Sequence, residues 1–248
     1  MDNSMKIKLV LTSLFILSCS MAAIGQNVTM VKLGASFPMG NFGESNMDNE
    51  KWGLIDNSKK GGAGTGAVIG LQWQWKAGKM DGLNFICSAD VLFNFLNEDV
   101  NDFFDDYRDR LEDNYDDYSL TSPKYLNIPV MAGLNYTLPI SDKLTVMGEA
   151  GIGANFRKIT NMHAHAELGE NESDNIAEFN SALTMAYRIG AGIKFSERYS
   201  LHADYYVLGA AKVKGTATME SNYSSESNTF KAGTINPTML TIRLGIAL

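Results

Sequence analysis

The stretch that decides the fold is LTIRLGIAL, residues 240–248. The even-numbered positions hold large aliphatic side chains, leucine or isoleucine, and the odd-numbered positions hold smaller or polar ones, among them Arg243. A period of two places the two sets on opposite faces of a β-strand. The stretch therefore predicts a strand with one apolar face and one more polar face, and the same pattern recurs along the chain.

Eight segments share this alternation, and they cover residues 28–38, 66–77, 83–96, 124–138, 143–157, 182–195, 199–211 and 234–248. The connections alternate between long ones (39–65, 97–123, 158–181, 212–233) and short ones (78–82, 139–142, 196–198). Long loops at one end and short turns at the other are typical of outer-membrane barrels. The sequence predicts an all-β fold: an eight-stranded antiparallel up-and-down transmembrane β-barrel with long, largely structureless extracellular loops and short periplasmic turns.

The two faces of these strands indicate which one meets lipid. Aromatic residues end the apolar faces, near the short turns (Trp73, Trp75, Tyr136, Phe195, Tyr199) and near the long loops (Phe37, Phe93, Phe95, Tyr125, Phe156). Such girdles are typical of lipid-facing strands. A soluble barrel of the lipocalin kind would reverse the faces, and alternation alone does not separate the two. We favour the membrane barrel because charges of both signs on the polar faces can pair in a narrow lumen: Lys32, Asp90, Glu149, Arg188, Lys194, Asp204 and Arg243.

Several motifs resemble the PorT-like outer-membrane β-barrel family, a porin-like group. They are YLNIPV at 125–130 with GLNY at 133–136, GEAGIG at 148–153, and YRIGAGI at 187–193. The resemblance spans essentially the whole chain after residue 25, and it implies a barrel without catalytic residues. One member is linked to protein secretion, so the resemblance implies a transport or secretion role as an alternative function.

The first 25 residues have the pattern of a secretory signal peptide. Lys6 and Lys8 precede an apolar run at 9–17, and Ala23 and Gly25 supply the small residues at a cleavage site. We expect residues 1–25 to be removed and residues 26–248 to form the barrel domain. In an alternative interpretation Cys19 is the lipidated first residue. Cleavage after residue 25 leaves Cys87 as the lone cysteine, which we interpret as a small packing residue.

The overall charge argues against nucleic acid as a partner. The chain has 21 Lys+Arg against 28 Asp+Glu, a formal net charge of −7, and nucleic-acid binding needs a basic patch.

The acids concentrate in the connection 97–123, since residues 97–117 hold ten acids and two arginines. Apolar residues recur there at helical spacing and predict an amphipathic helix: Val100, Phe103, Phe104, Tyr107, Leu111, Tyr115 and Tyr118. Its acidic face is either a solvated surface on the barrel rim or a docking surface for a basic partner or for cations that bridge lipopolysaccharide.

Two further clusters are candidate sites. His163 and His165 are two residues apart, so on a strand they would share a face and could bind a transition metal. Glu167 and Glu170 follow closely, but the sequence alone does not determine whether a third ligand comes within reach, so we assign no metal ligands. Ser200, His202 and Asp204 have the residue types of a nucleophilic triad, but they lie near a short turn and point into the predicted lumen. We assign no catalytic residues and no cofactor.

Together these observations predict a non-enzymatic outer-membrane protein that acts through its extracellular loops, in envelope structure, adhesion or partner binding. Outer-membrane lipids and lipopolysaccharide are its expected surroundings, and the acidic loop 97–123 is the expected contact for a protein partner. The alternatives are a component of a transport or secretion machine and a lipid-modifying enzyme.

Overall fold

The structure is a computed structural model, and it describes residues 28–45 and 59–248. The predicted signal peptide and Cys19 lie outside the described residues. In chain order the elements are β1 (Val28–Pro38), a 3₁₀ turn (Gly40–Phe42), β2 (Ala63–Lys76), β3 (Leu83–Leu96), α1 (Glu98–Asn114), β4 (Asp117–Thr121), β5 (Tyr125–Ser141), β6 (Leu144–Ile159), β7 (Met162–Leu168), β8 (Asn171–Phe179), β9 (Ala182–Lys194), β10 (Tyr199–Val207), β11 (Ala211–Ser221), β12 (Ser224–Ile235) and β13 (Thr238–Ala247).

Eight of these strands close into a barrel in the order β1-β13-β10-β9-β6-β5-β3-β2. Every neighbouring pair is antiparallel, and β1 pairs with β13 so that Met30 lies opposite Ala247. The predicted eight-stranded up-and-down barrel is confirmed. β10 ends earlier than predicted, because Gly209 adopts a positive φ of 73° and turns the chain out of the barrel into β11. β13 begins later than predicted, because residues 234 and 235 belong to β12.

The long connections carry a second sheet. Five strands pair in the order β12-β11-β8-β7-β4 at the end of the barrel away from the short turns. We call α1 together with these five strands the cap. The expectation of largely structureless loops was wrong here. Segments such as MHAHAEL (162–168) have large apolar residues only at their two ends, with small and polar residues between, so they lack the repeated aliphatic positions that mark a strand in a sequence.

The predicted assignment of faces is confirmed by the side chains. Large apolar residues point outward and are exposed, Leu183 at 75% and Ile189 at 65%, whereas inward charged residues such as Arg243 are fully buried. This distribution is the reverse of a lipocalin's. The prediction was wrong for one aromatic residue, Tyr125, which was expected in the lipid-facing girdle. It shares the inward face of β5 with Asn127, and its hydroxyl donates to the carbonyl of Gly61. Within the described residues, no helix has the length and apolarity to cross a membrane.

An apolar cluster fills the barrel where it meets the cap. Barrel residues such as Leu92, Tyr125 and Met131 pack there with cap residues such as Phe104 and Phe179, all nearly or fully buried. The cluster joins the barrel interior to the lower face of the cap sheet. Below it, towards the short turns, the inward side chains become charged.

Candidate functional sites in the lumen and on the cap

A network of buried charges fills the lower lumen, and Arg243 lies at its centre. Its Nη1 donates to Asp90 Oδ1 at 2.7 Å, and its Nη2 donates to Asp204 Oδ2 at 2.6 Å. The aromatic ring of Tyr206 lies 5.6 Å from the guanidinium carbon, and the Tyr206 hydroxyl donates to Asp90 Oδ2 at 3.0 Å. One guanidinium therefore holds carboxylates from two different strands.

Glu149 is the acceptor at the other side of the network. Lys32 Nζ lies 3.1 Å from its Oε2, and the amides of Gln72 and Asn135 donate to its Oε1 at 3.1 and 3.2 Å. Arg188 links the two halves, since it lies 3.4 Å from both Glu149 and Asp90. The predicted pairing of Lys32, Arg188 and Arg243 with Asp90, Glu149 and Asp204 is thus present in the structure.

The network is balanced and tightly enclosed. Its three cations meet three carboxylates, and each of the six side chains is 1% exposed or less. Glycines make the room for them: a Cβ at Gly70 would lie 1.9 Å from Asp90 Oδ1, and one at Gly190 would lie 2.1 Å from Asp204 Oδ1. An eight-stranded barrel has an interior that side chains can fill, and here they do.

The serine, histidine and aspartate considered from the sequence do not form one unit. Ser200 Oγ lies 2.8 Å from His202 Nε2, and His202 Nδ1 lies 3.6 Å from Glu149, whereas Asp204 pairs with Arg243. A cavity of about 240 Å³ at the short-turn end includes Ser200 in its lining, yet the side chains of Ser200 and His202 are buried. The Ser200 hydroxyl also contacts Met30 Sδ at 3.6 Å and the carbonyl of Gly245 at 3.5 Å.

The cap presents the acidic helix that the sequence predicted. Asn97 caps α1 by accepting a hydrogen bond from the backbone N–H of Val100 at 3.1 Å, and it donates to the carbonyl of Gly43. Val100, Phe104 and Leu111 are buried beneath the helix, while its acids point to solvent. The helix ends at Asn114, so the predicted helical positions Tyr115 and Tyr118 lie beyond it. Tyr118 instead lies on β4 and donates to Glu112 at 3.0 Å.

The open face of the cap sheet brings two partly exposed histidines together. His163 Nε2 and His165 Nδ1 lie 2.9 and 3.0 Å from the same oxygen, Asp174 Oδ1. Asp174 is directly opposite His165 in the β7–β8 pairing, and Glu172, two residues earlier on β8, comes within 4.0 Å of His165 Nδ1. We call His163, His165, Glu172 and Asp174 the histidine–carboxylate cluster. The sequence reasoning missed both acids, because β8 was not predicted and its register was unknown.

Electrostatics in this cluster follow from the shared oxygen. The hydrogen bond to Asp174 raises the pKa of His165 above its usual value. The hydrogen bonds from His163 and then from His165 lower the pKa of Asp174. The register places Asp117 and Glu167 on the same face, and Glu220 of β11 lies opposite Asp174. The strands β4, β7 and β8 contain no lysine or arginine, so this face is strongly negative.

A closed barrel of eight strands with an exposed apolar exterior and a charged interior defines the class: an eight-stranded transmembrane β-barrel. No protein-family model and no curated protein matches the chain, so the resemblance to the PorT-like family stays a prediction.

Solved structures that are similar to this chain include three bacterial proteins, two of which are described as outer-membrane proteins. A major outer membrane protein of Thermus thermophilus is 12% identical, with 90% of this chain and all of that chain covered and a TM-score of 0.49. OprG of Pseudomonas aeruginosa is 11% identical, with 90% and 96% covered and a TM-score of 0.43. Ail, the attachment invasion locus protein of Yersinia pestis, is 12% identical, with 90% and 97% covered and a TM-score of 0.40. At these values we base the class on this chain's own strand pairing and surface.

Proposed function

We propose that this chain is a non-enzymatic outer-membrane protein that acts by binding partners through its cap. One observation carries the proposal: the buried cations and carboxylates of the lower lumen pair with one another, whereas the acids of the cap face solvent. Opening the lumen would separate several buried ion pairs, and leaving one such charge unpaired costs about 3–5 kcal/mol. Chemistry that is available to other molecules therefore lies on the cap.

The outer membrane as the location is part of the same proposal. The exposed aliphatic band around the barrel is stable in contact with the hydrocarbon core of a membrane. The sequence of residues 1–25 predicts export. The long connections of such barrels are extracellular and the short turns periplasmic. The cap would then face the cell's surroundings, among the lipopolysaccharide head groups.

The helix α1 is the part of the cap that we assign to a protein partner. Its seventeen residues include eight acids and two arginines, and the acids lie on the face turned away from the apolar cluster. A surface of one sign attracts a surface of the other and speeds the encounter. We therefore expect the partner to be basic, with contact through α1 and the adjoining part of the loop 97–123.

The test compares two variants of equal charge. The first, Asp102→Asn with Asp106→Asn and Asp109→Asn, removes three exposed acids from α1. The second, Asp81→Asn with Asp142→Asn and Glu197→Gln, removes three exposed acids from the short turns at the opposite end. Binding of each purified protein to immobilised polylysine is measured in detergent at low and at physiological salt. We expect the α1 variant to lose at least tenfold in affinity at low salt, and the short-turn variant to lose much less.

Folding is controlled by gel migration with and without heating, since membrane barrels keep a folded mobility in detergent until they are heated. Both variants should retain the heat-dependent shift of the wild type. Equal losses in the two variants would mean that only net charge matters. That result would contradict the assignment of α1 as the docking surface.

A further inference from the structure

The histidine–carboxylate cluster has the composition and the placement of a metal site. Its imidazole and carboxylate donors come from two adjacent strands and converge on one exposed face. Two imidazoles at positions i and i+2 of β7 project to the same side, and the antiparallel register supplies Asp174 directly opposite. The donors therefore come from a hairpin whose backbone pairing already fixes them near each other.

The distances suit a small cation. His163 Nε2 and His165 Nδ1 lie 2.9 and 3.0 Å from Asp174 Oδ1, and Glu172 Oε1 lies 4.0 Å from His165 Nδ1. Donor atoms around a tetrahedral zinc ion, with bonds of about 2.0–2.1 Å, are roughly 3.3 Å apart. The donor atoms of His165, Glu172 and Asp174 already lie within 4.8 Å of one another. His163 contacts Asp174 alone among these three, so its partly exposed side chain must rotate to complete a four-donor site.

The surroundings favour a cation over a purely structural role for these groups. Glu167 and Asp117 follow on the same face, and one carboxylate oxygen of each lies within 4.8 Å of a ring nitrogen of His165. The carboxylates on the strands around His165 outnumber the imidazoles, and β4, β7 and β8 hold no basic side chain. Carboxylates alone would suit calcium or magnesium, but imidazole donors select zinc, copper or nickel.

We propose that the open face of the β7–β8 hairpin binds one divalent transition-metal ion of the zinc class through His163, His165, Asp174 and Glu172. The site uses a different surface from α1, and it does not depend on the partner proposed for that helix. The chain contains three histidines, and the third, His202, is buried in the lumen beside Ser200. Binding by exposed imidazole can therefore come only from this hairpin.

The experiment measures zinc binding to the full chain, purified in detergent without a histidine tag. Isothermal titration with Zn²⁺ and metal analysis after dialysis should give one ion per chain. The variants His165→Gln and His163→Gln should each weaken binding at least tenfold. The control Glu226→Gln removes an exposed acid from β12 and should leave the affinity unchanged.

Two further measurements make the outcome decisive. Excess Ca²⁺ should fail to displace the zinc, because calcium prefers oxygen donors. The visible spectrum of bound Co²⁺ should show ligand-field bands that disappear in His165→Gln. The proposal is overturned if the wild type binds no zinc, if the histidine variants bind as tightly as the wild type, or if Ca²⁺ displaces the ion. Heat-dependent gel migration verifies that every variant is folded.

Discussion

The lumen and the open face of the cap are built from the same kinds of groups, namely carboxylates beside nitrogen donors, but they differ in balance and in access. In the lumen, three cations meet three carboxylates out of contact with solvent. On the cap, the rings of His163 and His165 both contact Asp174, and the strands β4, β7 and β8 hold no lysine or arginine to pair with the surrounding acids. Burial with balanced charge makes a structural plug, whereas exposure with an excess of one sign leaves groups available for binding.

The largest effect is expected from breaking the plug at Arg243. In Arg243→Met the carboxylates of Asp90 and Asp204 lose their shared guanidinium while they stay buried. The removal of one partner from a buried pair costs about 3–5 kcal/mol, so the free energy of unfolding should fall by that amount. Urea titration of the folded fraction in lipid vesicles measures it.

Arg243→Lys is the matched variant for that measurement. It keeps the charge but loses the fork that reaches both carboxylates, so its stability should lie between those of the wild type and Arg243→Met. A loss below about 1 kcal/mol in Arg243→Met would mean that water compensates the two carboxylates, and that the lumen is less closed than its geometry indicates.

A smaller loss is expected when the plug is crowded while its charges stay intact. The new Cβ in Gly190→Ala would lie 2.1 Å from Asp204 Oδ1, so the carboxylate must move away from Arg243. Overpacking of this kind costs about 1–3 kcal/mol. In Gly148→Ala, on the outward face of β6, the new Cβ meets nothing within 4 Å, and the unfolding free energy should hardly change. Equal losses in both variants would point to strand propensity instead of crowding.

The smallest effect is expected on the cap. Asp174→Asn removes the negative charge that both histidines contact, yet exposed ion pairs contribute about 0–1 kcal/mol. Barrel stability in the same urea titration should therefore change by less than about 0.5 kcal/mol, as is usual for surface substitutions. A loss of unfolding free energy as large as that of Arg243→Met would mean that the cap cluster is also a structural element of the fold. It would then contradict the assignment of structure to the lumen and binding to the cap.

The barrel could be predicted from the sequence because its lipid-facing positions carry large aliphatic residues at every second place. Leu183 and Ile189 are exposed in the structure, as the alternation implies. Arg188, next to Ile189 in the sequence, points inward to its partner Asp90. The pairing of lumen charges followed from the same argument, since a narrow interior leaves opposite charges little choice. The sequence did not show which acid pairs with which base, because that depends on the order of strands around the barrel. This order lets Arg243 of β13 reach Asp90 of β3.

The cap could not be predicted in the same way. Its strands pair residues from three different connections, and small or polar side chains such as Ala164 and Ser173 give little hydrophobic periodicity. The histidine pair was visible, but its third donor depends on a register between two strands that the pattern did not reveal. The helix α1 was recognised because its apolar spacing is strong, whereas its end at Asn114 was not, since Tyr115 and Tyr118 continue that spacing by chance.

The seam between β1 and β13 has a consequence for the order of events during biogenesis. Met30 and Ala247 are partners across the seam, although almost the whole described chain separates them. Contacts at such sequence separation form late, because the intervening chain must be arranged before they are favourable. Until this seam closes, β1 and β13 each have an open edge that could pair with another chain. We therefore expect assembly to depend on protection of those two edges until they pair with each other.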